Sequence, residues 1–166
     1  MNRLVFRSPT LSDGAAMWRI TSDLPNLEAN SPYSYLMVCR DFGDTSIVAE
    51  DDGSVVAFVS SYRPFRDPRV LFVWQIGVAE SHQGAGLGKT MLSKLLEQPG
   101  CAGVSHLEAT VTPSNIPSQR LFKSLARHLG AACQVEPCFT RSLFPEKAHE
   151  DEDLFRIGPF QLPQPR

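Results

Sequence analysis

The run Gln83-Gly84-Ala85-Gly86-Leu87-Gly88-Lys89-Thr90, set between an apolar stretch and an apolar helical pattern, constrains this chain more than any other feature. Glycines let backbone N–H groups turn toward a ligand, and the helix that follows adds its unpaired N–H groups and the positive end of its dipole. Such a loop is a phosphate cradle, and its spacing decides the kind. A Walker A loop needs glycine six residues before Lys89; Gly88-Lys89-Thr90 supplies the ending, but Gln83 stands at the required position. A dinucleotide fingerprint counted from Gly84 needs glycine where Lys89 stands, and it belongs to a first β-α-β unit rather than to mid-chain. Both fail on spacing, and a plain Gly-rich connector need not bear the flexibility cost of three glycines at a helix start.

The flanking pattern alternates between strand and helix. Leu4–Arg7 reads as an edge strand, Ser12-Asp13 as the start of a helix to about Thr21, and Asn30-Ser31-Pro32 as the start of a helix to about Cys39. Thr45–Glu50 and Val55–Tyr62 form a hairpin across Asp51-Asp52-Gly53-Ser54. Val70–Val78 is a long apolar strand in which Gly77 marks a bulge or a close backbone approach. Leu87–Glu97 reads as a helix, Val104–Val111 as a strand, and Pro113-Ser114-Asn115 as the start of a helix to about His128. Ala131–Phe139 and Leu154–Ile157 supply late strands. The expected fold is a single α/β (α+β) domain over residues 1–160, with an irregular tail over 161–166.

Composition narrows the function. The 166 residues are 42% hydrophobic and carry a net charge of −2, which disfavours nucleic acid or an anionic membrane as partner. No stretch approaches the roughly 20 apolar residues of a bilayer span, and charge breaks up the first residues too much for a signal-peptide core. Cys39, Cys101, Cys133 and Cys138 contain no Cys-x-x-Cys pair and read as reduced thiols of a cytoplasmic protein. No His, Cys and carboxylate cluster has metal-ligand spacing, so no metal is expected.

Gln83-x-x-Gly86-x-Gly88 matches the pyrophosphate loop of the GNAT superfamily of N-acetyltransferases, and Asn115-x-x-Ser118-x-x-Leu121-Phe122 resembles that superfamily's Asn-x-x-Ala-x-x-Leu-Tyr helix. The resemblance implies a mixed, mostly antiparallel central sheet flanked by helices, with acetyl-coenzyme A as donor substrate. It implies cofactor contacts from Ile76, Gly77, Val78, Gln83, Gly84, Ala85, Gly86, Leu87, Gly88, Lys89, Asn115 and Phe122. A finer resemblance, to the L-2,4-diaminobutyrate acetyltransferases of ectoine biosynthesis, rests on Asn30–Leu36, Thr45–Glu50, Phe72–Gln75, Glu108–Asn115, His149-Glu150 and Leu154–Pro159. It implies acetylation of the N4 amine of that diamino acid by a homodimer. Another small amine, a peptide amine, or a non-catalytic acyl-coenzyme A sensor stay open as alternatives.

Acetyl transfer needs a route for the amine proton, a donor at the oxyanion and relief for the leaving sulfur. The Val78 backbone N–H is the expected oxyanion donor, with Tyr33, Glu146 and His149 as the other catalytic candidates. Phe122 stands where many relatives carry a tyrosine that protonates the thiolate, and phenylalanine has no proton to give. For the acceptor, Glu28, Tyr33, Trp74, Glu146 and His149 are the expected contacts, since two ammonium groups call for carboxylates and an aromatic face. Either Trp74 or its neighbour must face the cleft. Glu146 and His149 share a face if their segment forms a helical turn, while Asp151 to Asp153 reads as a solvated acidic run.

Overall fold

A computed structural model describes residues 3–25 and 27–163; Met1, Asn2 and the end of the expected tail, 164–166, lie outside them. The elements run β1 (Val5–Arg7), α1 (Gly14–Asp23), α2 (Pro32–Asp41), β2 (Ile47–Asp51), β3 (Ser54–Tyr62), β4 (Val70–Val78), α3 (Leu87–Leu96), β5 (His106–Val111), α4 (Ile116–Leu129), β6 (Cys133–Phe139) and β7 (Glu152–Ile157). The seven strands form one sheet in the order β1-β2-β3-β4-β5-β7-β6. Only β4 and β5 pair in parallel; every other pairing is antiparallel.

Period-2 alternation sorts the sheet's side chains into two cores. Val48 and Phe58 turn toward α1 and α2, where they join Met17, Ile20, Tyr35 and Val38. Ile47, Ala49, Ala57 and Val59 turn the other way, to α3 and α4, against Met91, Leu92, Leu95, Phe122 and Leu125. Fully burying side chains such as Met91 and Leu125, both at 0% exposure, contributes roughly 1.5–3 kcal/mol each.

Local signals set the ends of the elements. Asp52 and Gly53 both have positive φ (47° and 78°), as a two-residue type I′ hairpin requires. Ser31 Oγ accepts from Ser34 N–H to cap α2 ahead of Pro32, and Asn115 Oδ1 accepts from Ser118 N–H at 3.2 Å to cap α4. The strand expected from Thr45 begins at Ile47, because Gly43–Thr45 closes a short 3-10 turn first.

Two features of β4 create the site. Its parallel pairing with β5 lasts only from Val70 to Phe72, opposite His106 to Glu108. Beyond Phe72, β4 stays with β3 while β5 runs on with β7, and the sheet opens into a V. The second feature corrects the expectation at Gly77. The register shift falls where Ser60 faces Gln75 and Ser61 faces Val73, which leaves Trp74 as the extra residue. Gly77 is in register opposite Phe58, and a Cβ there would meet Phe58 Cε1 at 2.5 Å and Ile20 Cγ2 at 3.1 Å. It is a neighbouring ring, not a backbone, that excludes a side chain.

Candidate active site

One wall of the V carries the Gly-rich loop. Gly84 and Gly86 have φ of 82° and 74°, a left-handed conformation that glycine adopts without strain, and nothing lies within 4 Å of a Cβ at either. Gly86 caps α3, whose first N–H groups, on Leu87, Gly88 and Lys89, have no partner within the helix. Gly88 serves packing instead: a Cβ there would touch Leu121 Cδ2 of α4 at 3.4 Å. Ala85 is exposed and Lys89 half-buried on the same turn. Gln83 spends its side-chain amide internally, donating from Nε2 to the Val78 carbonyl at 2.9 Å. The adjacent His82 bridges Asp51 Oδ2 at 2.9 Å and Ser81 Oγ at 2.8 Å, tying the loop to the β2–β3 hairpin.

The direction of the β4 amides follows from alternation. Ala79 N–H donates to Val56 O of β3 at 2.8 Å. Successive N–H groups of a strand point to opposite sides, so Gly77 N–H shares that direction, while Ile76 and Val78 N–H face the opening. An open anion cradle, a slot between diverging strands and inward N–H groups fit an acyl-coenzyme A: pyrophosphate at α3, a linear amide chain along β4, a thioester carbonyl beside Val78.

A cavity of about 610 Å³ occupies the mouth of the V, within the range of small-ligand sites. Ile76, Asn115 and Phe122 line it on the cofactor side, and Glu28, Trp74 and His149 on the other. The bulge at Trp74 brings both Trp74 and Gln75 to the cavity, where regular alternation would have offered one of them. The His149 ring stacks on Phe144 at 3.6 Å and 7°, and its Nδ1 lies 2.6 Å from the Glu150 carbonyl. A carbonyl only accepts, so Nδ1 carries the proton and Nε2 of the neutral ring keeps its lone pair. Glu150 accepts from Ser114 N–H at 3.1 Å and from the Ser114 hydroxyl, fastening the His149 segment to the start of α4.

Val78 and the Gly-rich loop lie outside the cavity lining, and so do two of the five residues expected at the acceptor. Tyr33 is 68% exposed on the first turn of α2 and is not among the cavity-lining residues. Glu146 is exposed and also outside the lining. Its segment makes a single turn closed by His149 N–H to Glu146 O at 3.2 Å. The acidic run is a further correction: Asp151 Oδ1 accepts from Arg141 N–H at 2.6 Å, and Glu152 lines the cavity. Gln75, Thr110 and Ser118, which fall in the segments that carry the resemblance but have no expected role of their own, line the cavity too. Ser118 is one helical turn before Phe122, so helical spacing alone would have found it. Cys39 and Cys101 play no part here; burial pushes both thiols up to about 11.

The comparisons with known proteins bear on the whole chain. The Acetyltransferase (GNAT) family model matches residues 15–126. The L-2,4-diaminobutyric acid acetyltransferase of Shouchella clausii is 48% identical over 158 residues, spanning 95% of this chain and 88% of that protein. Its counterpart from Virgibacillus pantothenticus is 46% identical over 153 residues, spanning 92% of this chain and 96% of that protein. The structure of the diaminobutyrate acetyltransferase EctA from Paenibacillus lautus, in complex with L-2,4-diaminobutyric acid and coenzyme A, superposes with a TM-score of 0.93 at 40% identity, covering 99% of this chain and 100% of that one. The chain belongs to the GNAT acetyltransferases and, within them, to the L-2,4-diaminobutyric acid acetyltransferases.

Proposed function

We propose that the protein transfers the acetyl group of acetyl-coenzyme A to the N4 amine of L-2,4-diaminobutyrate, giving N4-acetyl-L-2,4-diaminobutyrate for ectoine biosynthesis. The observation that carries this reading is the cavity itself. It lies against β4, the strand that leads into the Gly-rich cradle, and bears Glu28, Glu152, His149 and Trp74, the chemistry that holds a small molecule with two ammonium groups. The resemblance of the whole chain to relatives of that name supports the choice of amine.

His149 Nε2 accepts a proton from the bound ammonium, which frees the nitrogen lone pair to attack the thioester carbonyl carbon. As the C–N bond forms, Val78 N–H donates to the oxygen that gains charge. When the carbonyl reforms, the C–S bond breaks. Phe122 has no proton to offer the sulfur, and Ser118, one turn earlier, donates a hydrogen bond but is too weak an acid to give up its proton. A thiol of ordinary pKa, about 8.5, leaves as thiolate near neutral pH at little cost; solvent water takes the second proton, which the nitrogen sheds as the carbonyl reforms, and returns one to the sulfur. Of the two carboxylates, Glu28 and Glu152, one binds the N4 ammonium until it gives up its proton, and the other holds the second ammonium group throughout.

A cytoplasmic location is part of this reading, and the four cysteines without disulfide partners support it. A homodimer is supported by β6, the last strand of the sheet, which exposes Val135 at 48% and Phe139 at 47%. The test is coenzyme A release from acetyl-coenzyme A with L-2,4-diaminobutyrate, ornithine, lysine, putrescine, spermidine and a lysine peptide. Turnover far fastest on diaminobutyrate is the expected result. Faster turnover on another amine replaces the acceptor, and coenzyme A binding without turnover makes the protein a sensor.

A further inference from the structure

Tyr35 is 2% exposed, yet it carries its hydroxyl into the core beneath α1 and α2. That hydroxyl is fully used. It donates to Gln75 Oε1 at 2.9 Å and accepts from the Asn30 backbone N–H at 3.3 Å. Gln75 Nε2 then donates to the Glu28 carbonyl at 2.9 Å. The amide cannot sit the other way round, because two carbonyl oxygens would then face each other at Glu28. Among its described residues the segment between α1 and α2 has no ladder of its own, and two of its backbone groups, on either side of Ala29, are thus tied to β4 at the Trp74 bulge. The same tyrosine ring meets Phe58 edge-on, with centroids 6.0 Å apart at 85°, and Phe58 is the ring that fills the space beside Gly77.

We propose that Tyr35 and Gln75 form a latch that fixes the acceptor wall of the cavity, so that Tyr35 is a positioning residue for amine binding, acting through Gln75 and the Glu28–Asn30 segment. The proposal rests on the reading of this cavity as the amine site. Loss of the hydroxyl leaves Gln75 Oε1 and Asn30 N–H without their partner and frees the wall to move. The cost of ordering it then falls on the amine as it binds. The coenzyme A cradle shares no hydrogen bond with the latch, so donor binding is untouched. The selectivity between diamines of different length depends on a fixed distance across the cavity, and it falls as well.

Steady-state kinetics with both substrates varied tests this on wild type, Tyr35→Phe, Gln75→Met, their double variant and Glu28→Gln. Phenylalanine keeps the ring and its contact with Phe58, so packing is held while one hydrogen-bonding group is removed. The expected result for Tyr35→Phe is an amine KM about five- to tenfold higher, the scale of one lost hydrogen bond. The KM for acetyl-coenzyme A and kcat stay within about twofold, and the preference for diaminobutyrate over ornithine narrows. The double variant with Gln75→Met is no worse than the poorer single one, because both act through one chain of bonds. An unchanged amine KM, an equal rise in both KM values with a lowered Tm, or additive effects of Tyr35→Phe and Gln75→Met would overturn the latch. If Glu28→Gln leaves amine KM unchanged while Tyr35→Phe raises it, Glu28 is not the ammonium ligand and the latch stands. If another amine proves the better acceptor, the same ratios are read on that amine.

Discussion

The two walls of the cleft are built from different materials. The coenzyme A wall is mostly main chain: Gly84 and Gly86 in left-handed conformation, the first turn of α3, and the inward N–H groups of β4. Most of its residues are contiguous, from Ile76 to Lys89, on a single strand-loop-helix unit, and Asn115 and Phe122 of α4 complete it. The acceptor wall is mostly side chains gathered from distant segments: Glu28 before α2, Trp74 and Gln75 on β4, His149 and Glu152 around the start of β7. The first wall recognises a feature every acyl-coenzyme A carries, and backbone suffices for it. The second must distinguish one amine from another, which needs separately adjustable groups. Backbone sites fail when their conformation is disturbed; side-chain sites fail when one functional group is removed.

Gly77→Ala tests that contrast most severely. Its Cβ would lie 2.5 Å from Phe58 Cε1, so β4 must shift beside Val78. We expect kcat/KM to fall about 100-fold for both substrates, the scale of a lost oxyanion donor. Adding Phe58→Leu vacates the space and recovers part of the loss in the same assay. Full activity in Gly77→Ala would show that the β4 backbone adapts, and would dissolve the contrast.

Glu152→Gln keeps the shape of the side chain and removes its charge. Amine KM should rise about thirtyfold, as for a hydrogen bond to a charged group, with the KM for acetyl-coenzyme A unchanged. Gly86→Ala is the mirror experiment. Its φ of 74° strains any side chain though nothing lies within 4 Å of the new methyl. About 1–2 kcal/mol of strain should raise the KM for acetyl-coenzyme A about tenfold and leave amine KM alone. Opposite assignments in these two variants would exchange the roles of the walls.

Asp13 provides a control outside both walls and the smallest effect. It is 5% exposed and accepts from Arg7 Nη1 at 2.7 Å and Nη2 at 2.9 Å; hydrogen bonding to Arg7 holds its carboxyl below the usual range. The folded value therefore lies below the unfolded one. Its stabilisation is complete above the ordinary aspartate range and is lost as pH falls through the lowered value. Arg7 remains a third exposed, so solvent screening limits the contribution to about 1 kcal/mol. Asp13→Asn should flatten stability against pH below about 4 in denaturant titrations, leaving both KM values intact.

What the sequence disclosed follows the same division. The Gly-rich spacing, the caps at Ser31 and Asn115 and the β2–β3 turn are local, so each could be read where it stands. The acceptor wall depends on pairing between segments far apart in sequence. No residue type announces that β4 takes an extra residue at Trp74, since the shift arises from how β3 and β4 register across Ser60 and Ser61. Alternation therefore offers Trp74 or its neighbour, and the bulge brings Gln75 to the cavity beside Trp74. Glu152 stands in the acidic run, and its place on β7, opposite Phe139 of β6 and one residue before the β5 ladder, sets it at the cavity. Resemblance supplied Trp74, Glu28 and His149, while Tyr33 drew attention that Tyr35, two residues on, repays with its hydrogen bonds.

The V between β4 and β5 has a consequence for the life of the protein before it meets its donor. Two strand edges diverge inside one sheet, and each offers unpaired amides to any extended chain that reaches them. A ligand that lies along β4 stands in for a missing strand and closes both edges. Such a ligand stabilises the fold by mass action, about 2.7 kcal/mol at a hundredfold excess over its Kd. The resistance of the chain to aggregation is thereby coupled to the cell's acyl-coenzyme A supply, and slowed hydrogen exchange at Ile76 and Val78 on donor binding is the sign to look for.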